Sequence, residues 1–531
     1  MGQGDSFGAH VAKYIRVYYL AVIAYFGIFL FGYATAVSGA IVDSDIFMKS
    51  FNIMNADGTE NIGRDTSISS NVVSFVQAGA FFGALGSAPV SAKLGRRWTL
   101  FGALCVTVVG IILTTVANSG TKGLHLIYGG RVLTGFGIGA ISAVSPNLVG
   151  ECSPKQIRGR TTGFFQIMVA IGVMIAYFVN YGVAENLTPG KAYWQIPFGI
   201  QLLPAGVMMF GLLTVKESPR WLASKGRSEE AIKVLAYYQR EPTTSDAVMA
   251  EFAEIEASID QERKAREGVN LRQAILAKGQ WIRFVLAFVI FLLQQFCGQN
   301  SVNYYTPQIF EAIGYTGTTA KLLASGIYGV VKVTATTLFV FFGVEFLGRK
   351  LSLFIASLMM GVLFFIVGAL EKVYPPSTTA ANPAPASKGM AACIYIYVCF
   401  YSMGWGPVPW VYCSEIFNNS TRHIGLAVAS ATQWLFNFVI AKITPTMVDN
   451  LGWKLFMTFA TIDIGGGAVF AALMPETKGK SLEEMDILFG SVTAEEREKE
   501  IQQKTKELEA ADVQRHHEDG SVMQDSVERK V

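Results

Sequence analysis

An all-α membrane protein, with twelve transmembrane helices in two six-helix pseudo-repeats, is the fold class that three observations predict. The 531-residue chain is 51% hydrophobic and only 16% charged, with a mean hydropathy of +0.37. Soluble domains carry nearer a quarter charged residues. Apolar runs long enough to cross a hydrocarbon core of ~30 Å as helix recur along the chain. A set of charged residues also recurs, in the same order, in its two halves.

Each run is read as a helix because lipid offers the backbone no hydrogen-bond partner. The expected spans are 17–40, 70–92, 99–118, 124–148, 161–184 and 195–215, then 281–304, 319–344, 351–371, 390–413, 424–448 and 453–474. The first has no convincing small-residue cleavage site, so it reads as a span and not a signal peptide. Basic residues in short loops set the orientation. Lys93, Arg96 and Arg97, then Lys155, Arg158 and Arg160, then Arg349 and Lys350 all fall on one side, whereas loop 43–69 opposite them is acidic. Both termini are then cytoplasmic. Asn186-Leu187-Thr188 is an outer-face glycosylation sequon, and Asn418-Asn419-Ser420 falls on the inner face.

The organisation that follows is a cytoplasmic N-terminus over 1–16, a six-helix bundle over 17–215, cytoplasmic linker helices over 216–280, a second bundle over 281–474 and a cytoplasmic tail over 475–531. The linker has apolar residues at helical spacing between acidic ones. The charged tail reads as helical near 493–511 and disordered beyond.

The internal repeat is explicit. Glu151 precedes Arg158 by seven positions, and Glu415 precedes Arg422 by seven. Gly95-Arg96-Arg97 returns as Gly348-Arg349-Lys350, and Glu217 after the sixth span returns as Glu476 after the twelfth. Parallel-repeat transporters hold substrate near the midplane, between halves that rock against each other. The charges Arg96, Arg97, Glu151, Arg158, Glu217, Arg220, Arg349, Glu415, Arg422 and Glu476 are read as a cytoplasmic latch, paired across the halves when the site faces out. The plainer alternative is that the arginines only set topology or bind anionic headgroups. Repetition of the acids favours a latch, because acids contribute little to topology.

These residues, with Gly130-Arg131, Arg158-Gly159-Arg160, Glu217-Ser218-Pro219-Arg220-Trp221-Leu222, Gln294-Gln295 with Gly298 and Asn300, Gly406-Pro407-Val408-Pro409-Trp410 and Pro475-Glu476-Thr477-Lys478-Gly479, resemble the sugar porter family of the major facilitator superfamily over about 20–486. Trp194-Gln195-Ile196-Pro197-Phe198, Lys216-Glu217-Ser218 and Gly329-Val330-Val331-Lys332 are similar to fungal hexose and quinate transporters. The resemblance implies twelve spans, alternating access and a monosaccharide-like substrate, with hexose as the leading reading.

A sugar presents hydroxyls that donate and accept, which amides match, and an apolar face that an aromatic ring can cover. The spans offer Gln166, Gln294, Gln295, Asn300, Trp410, Gln433 and Asn437; the resemblance implies a sugar contact for the first five. The plain alternative is hydrogen bonding between helices. Gln294 and Asn300 converge only if the helix breaks, which Gly298 would permit. Tyr304 and Tyr305 are expected at the outer gate, and Trp434 is read as packing.

Three positions depart from the family pattern. Ala34 stands where proton-coupled members carry an acid that pairs with the arginine matching Arg131. Facilitated diffusion is therefore expected, with proton symport through Glu151 or another acid as the alternative. Lys332 stands where many sugar porters have Asn. A mid-span lysine is a functional candidate by default, for a carboxylate substrate such as quinate or for a structural acid. Ala92 replaces an Asp before the Gly-Arg-Arg turn.

A net charge of +3 is too small to suggest nucleic acid. The six cysteines show no metal spacing, and no catalytic grouping is recognisable, so no enzyme, cofactor or metal is expected. The expected partners are a small sugar and the lipid bilayer, with protons in the alternative reading. The expected state is a plasma-membrane monomer. A nutrient sensor is the rival from another class, although sensors of this type tend to have a longer tail.

Overall fold

Among the described residues, eleven helical crossings and a shorter, broken twelfth lie where the apolar runs predict them. The computed structural model describes residues 13–53, 62–266, 279–343, 347–376, 383–417, 421–480, 484–485 and 488–490. The first half contains Ile15–Val42, Ile62–Leu94, Arg96–Thr115, Thr121–Cys152, Lys155–Asn186, and a sixth span made of Ala192–Gly199 and Leu202–Thr214. The second half runs through a broken seventh span, Gln280–Phe296, Gln299–Tyr304 and Thr306–Ala312. Thr318–Leu338, Arg349–Val373, Pro385–Met403 with Val408–Ile416, Arg422–Leu451, and Lys454–Leu473 complete it. Most of these helices extend a few residues past the hydrophobic run, because polar ends reach the interface.

The interruptions have local causes. Gly298 adopts φ +90°, a left-handed conformation that costs glycine nothing, and it ends the first piece of the seventh span. The tenth span breaks at Gly404–Pro407, and Pro409 follows just inside the next helix. The eighth ends in a π-helix over Phe339–Gly343, and the twelfth contains another over Ile462–Ala468.

Within the first half, the first span packs on the fourth and fifth, and the second on the fourth. The halves meet where the fifth span lies against the eighth and the second against the eleventh. Large apolar side chains on the spans, Leu203 and Phe210 among them, stay exposed, as a lipid-facing surface requires. Linker helices Pro219–Ser224, Ser228–Gln239 and Asp246–Arg266 close a small core of Leu222, Leu235, Val248 and Phe252. The tail expected to be helical at 493–511 and the sequon at Asn418 lie outside the described residues.

Candidate functional site

The break at Gly298 builds the centre of the site. It turns Gln299–Tyr304 back on the preceding helix, so the Asn300 amide donates to Gln295 Oε1 despite the spacing. Gln295 in turn donates to Gln294 Oε1 at 3.3 Å, and Gln294 donates to the Trp405 carbonyl at 2.6 Å, on the broken tenth span. Gln166 of the first half approaches the same place: a Cβ on Gly406 would lie 3.5 Å from its Nε2. Phe291 and Trp410 meet edge to face with centroids 4.7 Å apart, and Trp410 is half-buried. Four of the expected amides from the fifth and seventh spans thus meet at the broken tenth span, and the expected tryptophan of that span packs on Phe291, about one turn before Gln294 and Gln295. Gln433 is half-buried, and its Oε1 has no hydrogen-bond partner. Asn437 serves another contact, accepting from Tyr304 Oη at 2.6 Å. Trp434 packs on Phe31.

Lys332 reaches the short helix that carries Asn300. Its side chain is buried, and its ammonium donates to Asn303 Oδ1 at 2.8 Å. Asn303 is three residues from Asn300, on the same side of one short helix. Arg131 is also buried; it donates to the carbonyls of Val72 at 3.1 Å and Ala34 at 2.8 Å. Backbone carbonyls thus occupy the place of the missing acid.

One end of the protein is closed between the halves. Tyr304 and Tyr305 are buried against Val73 and Ala441, and Tyr305 donates to the Ala441 carbonyl at 2.7 Å. Tyr177 donates to the Asn303 carbonyl at 2.6 Å, Gln308 to Gly39 at 3.0 Å, and Lys442 to Ser70 at 3.0 Å. Lys321 of the second half pairs with Asp43 of the first and, at 2.7 Å, with Glu311. Among the described residues, the hydrogen bonds between the halves cluster at this end.

Asp43, just past the first span, was not among the residues expected from the sequence, and neither was Lys321. A single acid and a single lysine far apart in the chain carry no spacing signal. Burial raises the Asp43 pKa to about 7, Lys321 opposes that rise and Glu311 adds to it. A closed end that raises an acid's pKa binds its proton more tightly than an open, hydrated end. The proton's contribution to closure is complete below the ordinary carboxylate range and fades as pH rises through about 7. We therefore expect opening of this end to become easier between pH 5 and 8, and Asp43→Asn to flatten that dependence. Accessibility of a cysteine introduced at Val73, measured against pH, checks it.

The repeated charges occupy the opposite end and pair within each half. Arg96 grips Glu151 through Nε and Nη2, both at 3.0 Å, and Glu217 accepts the backbone N–H groups of Arg96 at 2.9 Å and Arg97 at 3.1 Å. The second half repeats this arrangement. Arg349 grips Glu415 at 3.1 and 2.6 Å, while Glu476 accepts from Arg349 N at 3.0 Å and Lys350 N at 2.9 Å. Gly95 and Gly348, at φ +94° and +77°, turn these N–H groups toward the carboxylates. Each acid satisfies free N–H groups at a helix start and meets the positive end of its dipole. Burial raises the pKa of Glu476, and the four backbone donors around it outweigh burial and hold it below the ordinary range.

The charges thus pair within each half while the other end is closed, whereas pairing across the halves is expected only when the site faces out. Arg158 donates to the Ser153 carbonyl at 3.2 Å. Arg220 reaches Ser258 of the linker at 3.1 Å, so it braces linker helices. The Arg422 side chain lies outside the described residues. Asn186 is exposed at the end of the fifth span, and its amide donates to Gly182 at 2.8 Å.

The comparisons with known proteins agree with this fold. A family model described as "Sugar (and other) transporter" matches residues 20–489. The chain is 37% identical to a quinate permease of Emericella nidulans over 482 residues, covering 89% of this chain and 88% of that protein. It is 38% identical to a probable quinate permease of Aspergillus terreus over 480 residues, covering 89% and 87%. Among solved structures, the xylose transporter XylE of E. coli in a partially occluded inward open conformation matches with TM-score 0.72 at 26% identity, covering 88% of this chain and 100% of that one. XylE, described as a proton:xylose symporter and bound to 6-bromo-6-deoxy-D-glucose, matches with TM-score 0.71 at 27% identity, covering 90% and 100%.

Proposed function

Because the chain belongs to the sugar transporter family of the major facilitator superfamily, we propose that it carries a polyhydroxylated carboxylate of the quinate type across the plasma membrane by alternating access. The chain is a multi-pass membrane transporter of this family, and not an enzyme. Lys332 carries the assignment of a carboxylate substrate. A buried ammonium in a membrane protein is costly and is normally paired. Lys332 has only the neutral Asn303 as partner among the described residues, and Asn303 follows Asn300 by three positions on the short helix whose Asn300 amide joins Gln295. A quinate-type solute supplies a carboxylate for Lys332 and hydroxyls for the amides. Relatives named as quinate permeases support this class. A neutral hexose is the second reading, favoured by the amides Gln166, Gln294, Gln295 and Asn300 with Trp410, which ask for no charge.

In this reading the end closed by Tyr304, Tyr305 and Lys321 faces out, and the repeated charges and both termini face the cytoplasm. A single copy suffices, because the site lies within one chain. Arg158, which among the described residues has only a carbonyl partner, is the latch residue best placed to pair across the halves when the cytoplasmic ends approach. Ala34 removes the first-span acid from the proton carriers, which leaves facilitated diffusion unless another buried acid titrates.

Uptake of labelled quinate, glucose, fructose and xylose in a transporter-null cell tests the reading. Quinate uptake is expected to dominate, and a chain that moves only hexoses fails it. Gln295→Ala is expected to weaken substrate affinity about 5- to 150-fold, the equivalent of a lost buried hydrogen bond of about 1–3 kcal/mol. Unchanged affinity at normal surface expression would place Gln295 outside the site.

A further inference from the structure

We propose that Asp463 is a proton-binding site of the second half, and that the transporter couples solute movement to protons through it. The inference rests on the chain being a transporter, not on which solute it moves.

Asp463 sits between Ile462 and Ile464 near the middle of the twelfth span, where an ionisable group is expensive and functional by default. It is 2% exposed, and its Oδ2 has no hydrogen-bond partner. A structural acid at this depth would be held by a cation or by donors. No such pair is made by Asp463 among the described residues. Its electrostatic neighbours are Cys297 and Tyr397, both neutral weak acids. The ninth span packs on the same segment and presents Ser357 and Gly361 to it. The charges of that span, Arg349, Lys350, Glu371 and Lys372, lie at its two ends. The packed part of the seventh span, Gln280–Phe296, carries one charge, Arg283, near its start.

The surrounding backbone also suits a group that changes charge. Asp463 is the second residue of the π-helix Ile462–Ala468, and Gly465, Gly466 and Gly467 follow it. Such segments recur at functional sites. The neighbouring contacts lead to the substrate site. Tyr397 Oη donates at 2.7 Å to the carbonyl of Cys297, the residue before the Gly298 break. Gly467 lies against Trp405, whose carbonyl holds Gln294. Charge on Asp463 is therefore felt at the break that separates Gln294 and Gln295 from Asn300.

The chemistry is one reversible protonation. Hydronium gives its proton to the carboxylate, an O–H bond forms and water leaves; after reorientation the acid returns the proton to water on the other side. No electron pair moves between molecules otherwise.

Purified full-length protein in liposomes, with labelled quinate or glucose and a pH dye inside, tests this. With an acidic exterior, the wild type is expected to accumulate solute above the external concentration and to acidify the lumen. Asp463→Asn is expected to bring accumulation down to the external level and to stop acidification, while solute exchange at equal pH on both sides is still measurable. Asp463→Glu keeps the acid and is expected to keep acidification. A wild type that exchanges solute without acidification overturns the proposal. So does an Asn variant that still accumulates, or a Glu variant that exchanges solute but moves no protons. A wild type that exchanges neither solute fails the transport reading itself, and the proposal fails with it.

Discussion

Replacing Lys332 with asparagine is expected to abolish quinate uptake while hexose uptake is kept or raised. An unpaired buried carboxylate in the bound state costs about 2–5 kcal/mol relative to a paired one, or about 30- to 5000-fold in affinity. A hexose loses no such pair, and asparagine can still bond a hydroxyl. The competing role for Lys332 is structural, since its bond to Asn303 ties the eighth span to the seventh. Breaking that tie would depress uptake of both solutes together and lower the melting temperature. The ratio of quinate to glucose uptake separates the roles. A ratio unchanged in Lys332→Asn at normal surface expression rejects the carboxylate contact. Added free quinate should also raise the melting temperature of the wild type more than that of the variant.

The spans were legible because hydropathy and length determine them almost alone, and the repeat was legible because charges at helix ends keep their spacing. The break in the seventh span could be anticipated from one glycine, since Gln294 and Asn300 cannot share a site on a continuous helix. Partners were harder. The sequence identifies Glu151 and Arg96 as repeated charges but not whether they meet within a half or across it. Glu217 and Glu476 were expected in ion pairs; instead they cap the helix starts at Arg96 and Arg349, a use that only local backbone geometry reveals. The contact between Asp43 and Lys321 has no repeated counterpart and so left no pattern. Asp463 did leave one. An acid inside an apolar span is as informative as Lys332, yet it does little to lower the average hydropathy of its run, and so it escapes a reading based on averages. Asn303, the partner of Lys332, is an ordinary polar residue until the break places it.

Gly39→Val is expected to hold the end near Tyr304 open and to reduce net transport by on the order of 5- to 150-fold, the effect of about 1–3 kcal/mol of overpacking imposed on one state only. Gly39 lies in the first span where it faces the Tyr304 carbonyl, and any Cβ there would collide with that oxygen. Both sides of the contact are backbone, so no rotamer change relieves it, and the halves must separate. The hydrogen bond from Gln308 to the Gly39 carbonyl, 3.0 Å long, is lost in the same movement. The open state has no such contact, so the valine costs it little and the equilibrium shifts toward it. Substrate affinity measured from that side should be retained or improved, because the competing closed state is depleted, whereas turnover falls. This split distinguishes a blocked gate from a misfolded protein, in which affinity and turnover fall together. A valine variant with wild-type turnover would mean that the first and seventh spans need not approach each other here for the cycle to run.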